Sequence, residues 1–126
     1  MAAERFPEDL EYTAEHEWFR RSDGRVGITD HAQGALGDVV YVELPAAGSR
    51  LEAGVPFGSV ESVKSVSDLY APVGGTVVEV NAALAGSPEL VNQDPYGGGW
   101  MLRVQPDPGS APLLSATEYR RLVEAS

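Results

Sequence analysis

Gly37-Asp38-Val39-Val40-Tyr41-Val42 and Gly75-Thr76-Val77-Val78-Glu79-Val80 are the two stretches on which the fold turns. Each opens on glycine and runs into β-branched residues, which suit a pleated, half-buried strand. The two lie 38 residues apart, and at the same spacing Ala47-Gly48-Ser49 is matched by Ala85-Gly86-Ser87. Two copies are too few for a solenoid. They predict a pseudo-two-fold sandwich in which each half supplies matching strands.

Between the copies, residues 57–63 and 67–71 read as two further strands, with Lys64 near the centre of their connection. Pro72 and Gly74-Gly75 close the second of them. Upstream, Glu17-Trp18-Phe19-Arg20 and Val26-Gly27-Ile28 flank the turn signal Ser22-Asp23-Gly24, so residues 11–30 predict a hairpin. Asp30-His31-Ala32-Gln33 is expected to cap one helical turn, ended by Gly34 and Gly37. Downstream, Trp100 to Val104 predicts a last strand, opened by a mobile run from Pro95 to Gly99. A Pro/Gly-rich linker follows over 105–114. Ser115-Ala116-Thr117-Glu118 then has the capping-box pattern, with Leu114 and Tyr119 at the hydrophobic-staple positions. Tyr119, Leu122 and Val123 share one face of the short C-terminal helix this predicts, about 116–124.

Composition narrows the function. A chain of 126 residues, 43% apolar, suits one domain with a real core. Nineteen acidic side chains against nine basic ones give a net charge of −10, which repels phosphate backbones and argues against nucleic acid. The same charge serves solubility, or steering toward basic protein surfaces. Without cysteine there is no disulfide, thiolate catalysis or cysteine-bound zinc. Neither end carries an apolar run for a signal peptide or membrane span, and Met1-Ala-Ala-Glu4 does not read as a transit peptide. The expectation is a soluble, intracellular protein. Fourteen glycines and nine prolines, set between short apolar runs, punctuate the turns of an all-β chain.

Catalytic motifs are not found. His16-Glu17 and His31 fit no metal-ligand spacing, and His31 is expected to cap or hydrogen-bond its own helical turn. Gly97-Gly98-Gly99 lacks the lysine and helix of a phosphate loop, and there is no Gly-x-Ser-x-Gly elbow. No turnover of its own is expected from such a chain.

Lys64 stands out instead. It is the only lysine, and every other basic residue is arginine. A lysine at a hairpin tip is ordinarily a solvated turn residue. Here Val63 and Val66 flank it, apolar choices for an exposed turn, and it lies between the two repeats. An ammonium on a four-carbon stem can be acylated, which removes its charge and adds length; a guanidinium cannot be used in this way. A flexible arm on a rigid base raises the effective concentration of its cargo at a neighbouring site.

The segment Val60-Glu61-Ser62-Val63-Lys64-Ser65-Val66-Ser67-Asp68, followed by Tyr70-Ala71-Pro72-Val73-Gly74-Gly75, resembles the lipoylation segment of the H-protein family of the glycine cleavage system. Further segments are similar to that family in the same order: Tyr12 to Trp18 with His16-Glu17-Trp18, Val26 to Gln33, Leu36-Gly37-Asp38, Val42-Glu43-Leu44-Pro45, Phe57-Gly58, Val80-Asn81, Pro95-Tyr96 and Gly99-Trp100-Met101. The resemblance runs over about 12–104 and weakly into the last helix. It implies an all-β barrel-sandwich hybrid of the lipoyl/biotinyl type, with an N-terminal hairpin and a short C-terminal helix. The whole of 1–126 is then one carrier domain, with a core of about 11–104.

The resemblance also implies lipoic acid in amide linkage to Lys64. Its oxidised ring would receive the aminomethyl group of glycine from the P protein, a glycine decarboxylase. The T protein, an aminomethyltransferase, would take the group on, and the L protein, a dihydrolipoamide dehydrogenase, would reoxidise the dithiol. A lipoate ligase or lipoyl/octanoyl transferase would attach the cofactor. The setting is the cytoplasm, or the mitochondrial matrix for a processed eukaryotic form. In this family the loaded arm folds into a surface cleft. Carried over by position, Glu17 and Asp68 are the cleft carboxylates that would meet a protonated amine, with the Trp18 ring as an apolar wall. Glu15 stands where some relatives have serine. Two other functions use this kind of chain. A biotin carrier or a lipoyl domain of a 2-oxoacid dehydrogenase usually has methionine or aspartate beside its lysine, against which Val63 and Ser65 speak. A relay passing lipoyl groups to other complexes stays open.

Overall fold

The computed structural model describes residues 4–109 and 113–125, and structural statements below concern these residues. The expected 105–114 linker lies partly outside them. Nine strands form two antiparallel sheets. The larger runs in the order β1 (Glu11–Tyr12), β2 (Glu17–Arg20), β3 (Arg25–Ile28), β9 (Leu102–Pro106), β8 (Gly75–Val80) and β5 (Arg50–Leu51). The smaller runs β4 (Val39–Glu43), β6 (Pro56–Ser62) and β7 (Val66–Tyr70). This is the expected all-β sandwich.

The β2–β3 hairpin forms as expected, and two glycines explain its shape. Gly24 has φ +80, and a Cβ there would stand 2.3 Å from the Val104 carbonyl oxygen. Gly27 pairs with Trp18 across the strands, and its missing side chain leaves room for the indole lying over it. Strand β2 does not alternate. Glu17, Trp18 and Phe19 are all buried, because a core lies on each side of it. Phe19 joins Val26, Ile28, Val60, Leu69, Val77, Met101 and Leu102 in the main core. Trp18 faces a second, aromatic core with Leu10, Tyr12, Tyr96 and Tyr119. There Tyr12 and Tyr119 stack at 4.6 Å and 3°, worth roughly 1 kcal/mol beyond the area they bury.

The repeat is visible as a shared irregularity. Register shifts between Val39 and Tyr41 in β4, and between Val77 and Glu79 in β8. Val40 and Val78, at the same place in each copy, are therefore bulged residues, and both are exposed. The Ala-Gly-Ser match does not extend to conformation. Residues 47–48 form a turn with Gly48 at φ +93, whereas Ala85 and Gly86 end the short helix α2 (Ala83–Gly86).

Helix α1 (Asp30–Leu36) is longer than one turn and runs through Gly34. Its cap is Thr29 and not Asp30: the Thr29 hydroxyl accepts from the Ala32 N–H at 3.2 Å. Gly37 ends it at φ 79, ψ −159, a region open only to glycine. A further helix, α3 (Leu90–Gln93), packs beside it. From α3, Asn92 accepts from the Val39 N–H at 2.8 Å and donates to the Gly37 carbonyl at 2.8 Å, fixing the join of α1 to β4. The Pro95–Gly99 run is a packed turn and not a loose one. Pro95 accepts from the Trp18 indole at 3.0 Å, and Tyr96 is buried with its hydroxyl donating to the Arg5 carbonyl at 2.7 Å.

The last helix, α4 (Ala116–Glu124), has its capping box, with Ser115 and Glu118 each satisfying the other's backbone N–H. Leu114 pairs with Tyr12 through two 2.8 Å backbone bonds and packs with Tyr119 on the aromatic core. Among the described residues, five arginines lie over aromatic rings: Arg5 on Tyr96, Arg20 on Trp18, Arg21 on Phe19, Arg25 on Trp100 and Arg120 on Phe6. No described helix is long and apolar enough to cross a membrane.

Candidate functional site

Lys64 is the middle residue of the three-residue loop, Val63 to Ser65, between β6 and β7, and it is exposed. Ser62 closes that loop. Its N–H donates to the Ser65 carbonyl at 2.8 Å, and its hydroxyl oxygen accepts from the Lys64 and Ser65 N–H groups at 3.3 and 3.1 Å. Val63 N–H donates to the Asp38 carbonyl at 3.1 Å, tying the tip to the segment before β4. The backbone at Lys64 is thus held from both sides while the side chain leaves it. Val63 and Val66 are 72% and 65% exposed, so neither valine is there to fill the core. The lysine Cε passes 3.5 Å from where a Cβ on Gly37 would stand, beside the end of α1.

A cleft of about 230 Å³ opens next to this loop, beginning at Ser65. Its apolar wall is Ile28, Ala32, Ala35, Leu36, Val60 and Leu69, drawn from β3, α1 and both strands of the lysine hairpin. Glu15, His16, Glu17 and Asp68 supply the polar side. The two carboxylates singled out in the sequence, Glu17 and Asp68, therefore line one cavity. Asp68 is exposed on β7, and Glu15 is exposed on the turn before β2. Trp18 is not a wall of this cleft: it is fully buried and faces the aromatic core on the other side of β2.

Glu17 is not a surface carboxylate. It is buried, with 2% of its surface exposed. Its Oε1 accepts from the Thr13 hydroxyl at 2.7 Å and its Oε2 from the Tyr70 N–H at 3.3 Å, so it bridges the larger sheet to β7. Burial pushes the carboxyl up to about 7 against the pull of these two hydrogen bonds, and the Glu15 charge pushes the same way. His16 is held below its usual value, chiefly by burial and then by its neighbour His31. The His31 ring packs on His16 at 4.8 Å, and its Nδ1 lies 2.9 Å from Glu4 Oε2. It does not cap α1.

Sequence reading missed the α1 wall, Thr13 and His16. The spacing of Ala32, Ala35 and Leu36 on one helical face was the available signal for the first. An apolar wall for a methylene chain, carboxylates for a cation and an amine at the rim together fit an acyl arm carrying a basic cargo. No described group of three or more His, Cys, Asp or Glu residues could hold a metal.

Comparison with known proteins gives the same direction. A family model described as Glycine cleavage H-protein matches residues 10–126. The glycine cleavage system H protein of Mycobacterium avium is 62% identical over 123 residues, covering 90% of this chain and 93% of the relative. That of Rubrobacter xylanophilus is 59% identical over 124 residues, covering 94% of each. A crystal structure of the H protein from Mycobacterium marinum superposes with a TM-score of 0.88 at 46% identity, covering 94% of this chain and 98% of the other.

Proposed function

Because the chain belongs to the glycine cleavage H-protein family, we propose that it is the lipoyl carrier of that system, with Lys64 as the point of attachment. The observation that carries this reading is the only lysine of the chain standing on a pinned three-residue loop beside an apolar, carboxylate-rimmed cleft. Attached there as an amide, lipoic acid supplies the disulfide ring that takes up the aminomethyl group of glycine and is later reoxidised.

The residues of the chain do the rest. Ser62 and the Asp38 carbonyl keep the base of the arm in one place. The wall of Ile28, Ala32, Leu36 and Leu69 covers methylene groups and excludes water from the cargo. Glu17 and Asp68 offer the carboxylates that an ammonium needs once it leaves solvent. Glu15 adds negative charge at the rim. The partners in this reading are the P, T and L proteins and a lipoate ligase or lipoyl/octanoyl transferase, working in the cytoplasm. Turnover belongs to them, and this chain is their carrier.

The test is covalent. Incubation with a lipoate ligase and lipoate should add one lipoyl group to the intact mass of the wild type and nothing to Lys64→Arg. An adduct on the arginine variant, or none on the wild type, overturns the assignment.

A further inference from the structure

The hydroxyl of Tyr119, on the C-terminal helix, stands 2.7 Å from His16 Nδ1 and 2.7 Å from Thr29 Oγ1. Two sides of the cleft meet at this one atom. His16 sits between Glu15 and Glu17, and its backbone is left-handed at φ 71, the only described non-glycine residue in that state. A bulky residue is held there only when its surroundings over-determine it. Here its carbonyl accepts from the Thr29 N–H at 3.0 Å and its ring meets Tyr119. Thr29 is the cap of α1, and α1 carries Ala32, Ala35 and Leu36 of the apolar wall. The tyrosine's one proton and its lone pairs suffice for both contacts, one as donor and one as acceptor. Its ring is fully buried and stacked on Tyr12, so packing sets where the hydroxyl points. Burial also holds the phenol above its ordinary range, which keeps it neutral.

We propose that Tyr119 is a positioning residue for the cleft: its hydroxyl locks the His16 turn and the cap of α1 together, so that the carboxyl of Glu17 faces the apolar wall at a fixed separation. The functional meaning rests on the reading of the cleft as the shelter of the loaded arm, whereas the geometry concerns residues of this chain alone. The rival view is that α4 only covers the aromatic core. The two views part at the hydroxyl, because covering is the work of the ring.

Tyr119→Phe keeps the ring and removes the hydroxyl. His16→Asn keeps a residue that tolerates the left-handed backbone but whose shorter side chain does not reach the tyrosine. Carboxyl-labelled glutamate lets Glu17 be titrated by NMR in the chain without any cofactor. The wild type should titrate near 7. In both variants, with unfolding still cooperative, the His16 turn relaxes, water reaches Glu17, and the midpoint should fall by about one pH unit or more toward the ordinary range. A Glu17 midpoint unchanged in both variants overturns the proposal. Cargo lifetime on the lipoylated chain then separates the two layers. At a pH above about 8, where the Glu17 carboxyl is ionised in the wild type and in Tyr119→Phe alike, Glu17→Gln and Tyr119→Phe should each shorten it several-fold. A long lifetime in Glu17→Gln defeats the shelter, while the Glu17 midpoint still decides the role of Tyr119.

Discussion

Glu17 is a carboxyl in a place that does not suit its charge. Two hydrogen bonds do not offset its burial, so it titrates near 7 rather than near 4.5. The folded state therefore prefers it protonated. The stability this gives is fully present below about pH 4.5 and is lost as pH rises through 7. Across that window the loss is about 3 kcal/mol. Glu17→Gln carries no charge and can keep an acceptor for Thr13 or Tyr70. Urea unfolding should show the variant gaining roughly 2–3 kcal/mol on the wild type between pH 5 and pH 8; a constant difference would mean that the carboxyl is better solvated than its burial implies. Cargo retention has the opposite slope, because only the carboxylate attracts an ammonium. With methylamine loaded on the arm and the enzymes removed, loss of the amine should slow as pH rises through 7. Asp68→Asn should speed the loss by no more than about fivefold, because its exposed carboxylate forms a pair worth about 1 kcal/mol or less. At this scale the exposed loop position of Lys64 was legible from the strand patterns on either side of it, and the place of Asp68 from lying four residues further on, on the strand that leaves the loop. The burial of Glu17 was not, because a strand with a core on each side abandons the alternation by which exposure is read.

The join of α1 to β4 is the element on which the far side of the cleft depends. Gly37 ends the helix in a backbone state that other residues do not adopt, and Asn92 satisfies the polar groups exposed by that ending. Asn92→Ala leaves the buried strand start at Val39 and the Gly37 carbonyl without this partner and should cost about 1–3 kcal/mol in urea unfolding. Because α1 carries three wall residues, the same variant should also shorten cargo lifetime; a destabilised chain with normal lifetime would show that the wall does not depend on this join. Local patterns predicted elements well where their cause is local. The capping box at Ser115 needs only its neighbours in sequence. Thr29 and Asp30 are both cap-like; the cap is Thr29, whose hydroxyl also meets that of Tyr119, ninety residues away, a contact no local pattern shows. Likewise the two Ala-Gly-Ser triplets share composition, yet one turns and one ends a helix, because their surroundings differ.

Over the whole molecule, the repeat predicted a sandwich and the bulges at Val40 and Val78 display it. The second, aromatic core was less visible, since Tyr12, Trp18, Tyr96 and Tyr119 are scattered over the chain and meet only in the fold. A net charge of −10 surrounds both cores and acts at a distance. Raising ionic strength from about 0.01 to 0.15 M shortens the screening length from about 30 to 8 Å. If partners present basic surfaces, the KM of a partner enzyme for this carrier should rise several-fold over that range with kcat unchanged. A flat KM would assign the charge to solubility alone.

The arginines laid over aromatic rings have a consequence for chemical addressability. A guanidinium stacks on a ring face better than an ammonium does, and it is deaf to the thioesters and mixed anhydrides that acylate amines. With arginine on Tyr96, Trp18, Phe19, Trp100 and Phe6, the aromatic surface is covered without offering a single side-chain amine. An acyl donor that meets this surface, whether delivered by an enzyme or stray, finds one reactive side-chain amine, Lys64. The covering of a core and the uniqueness of a label are thus secured by the same choice of cation.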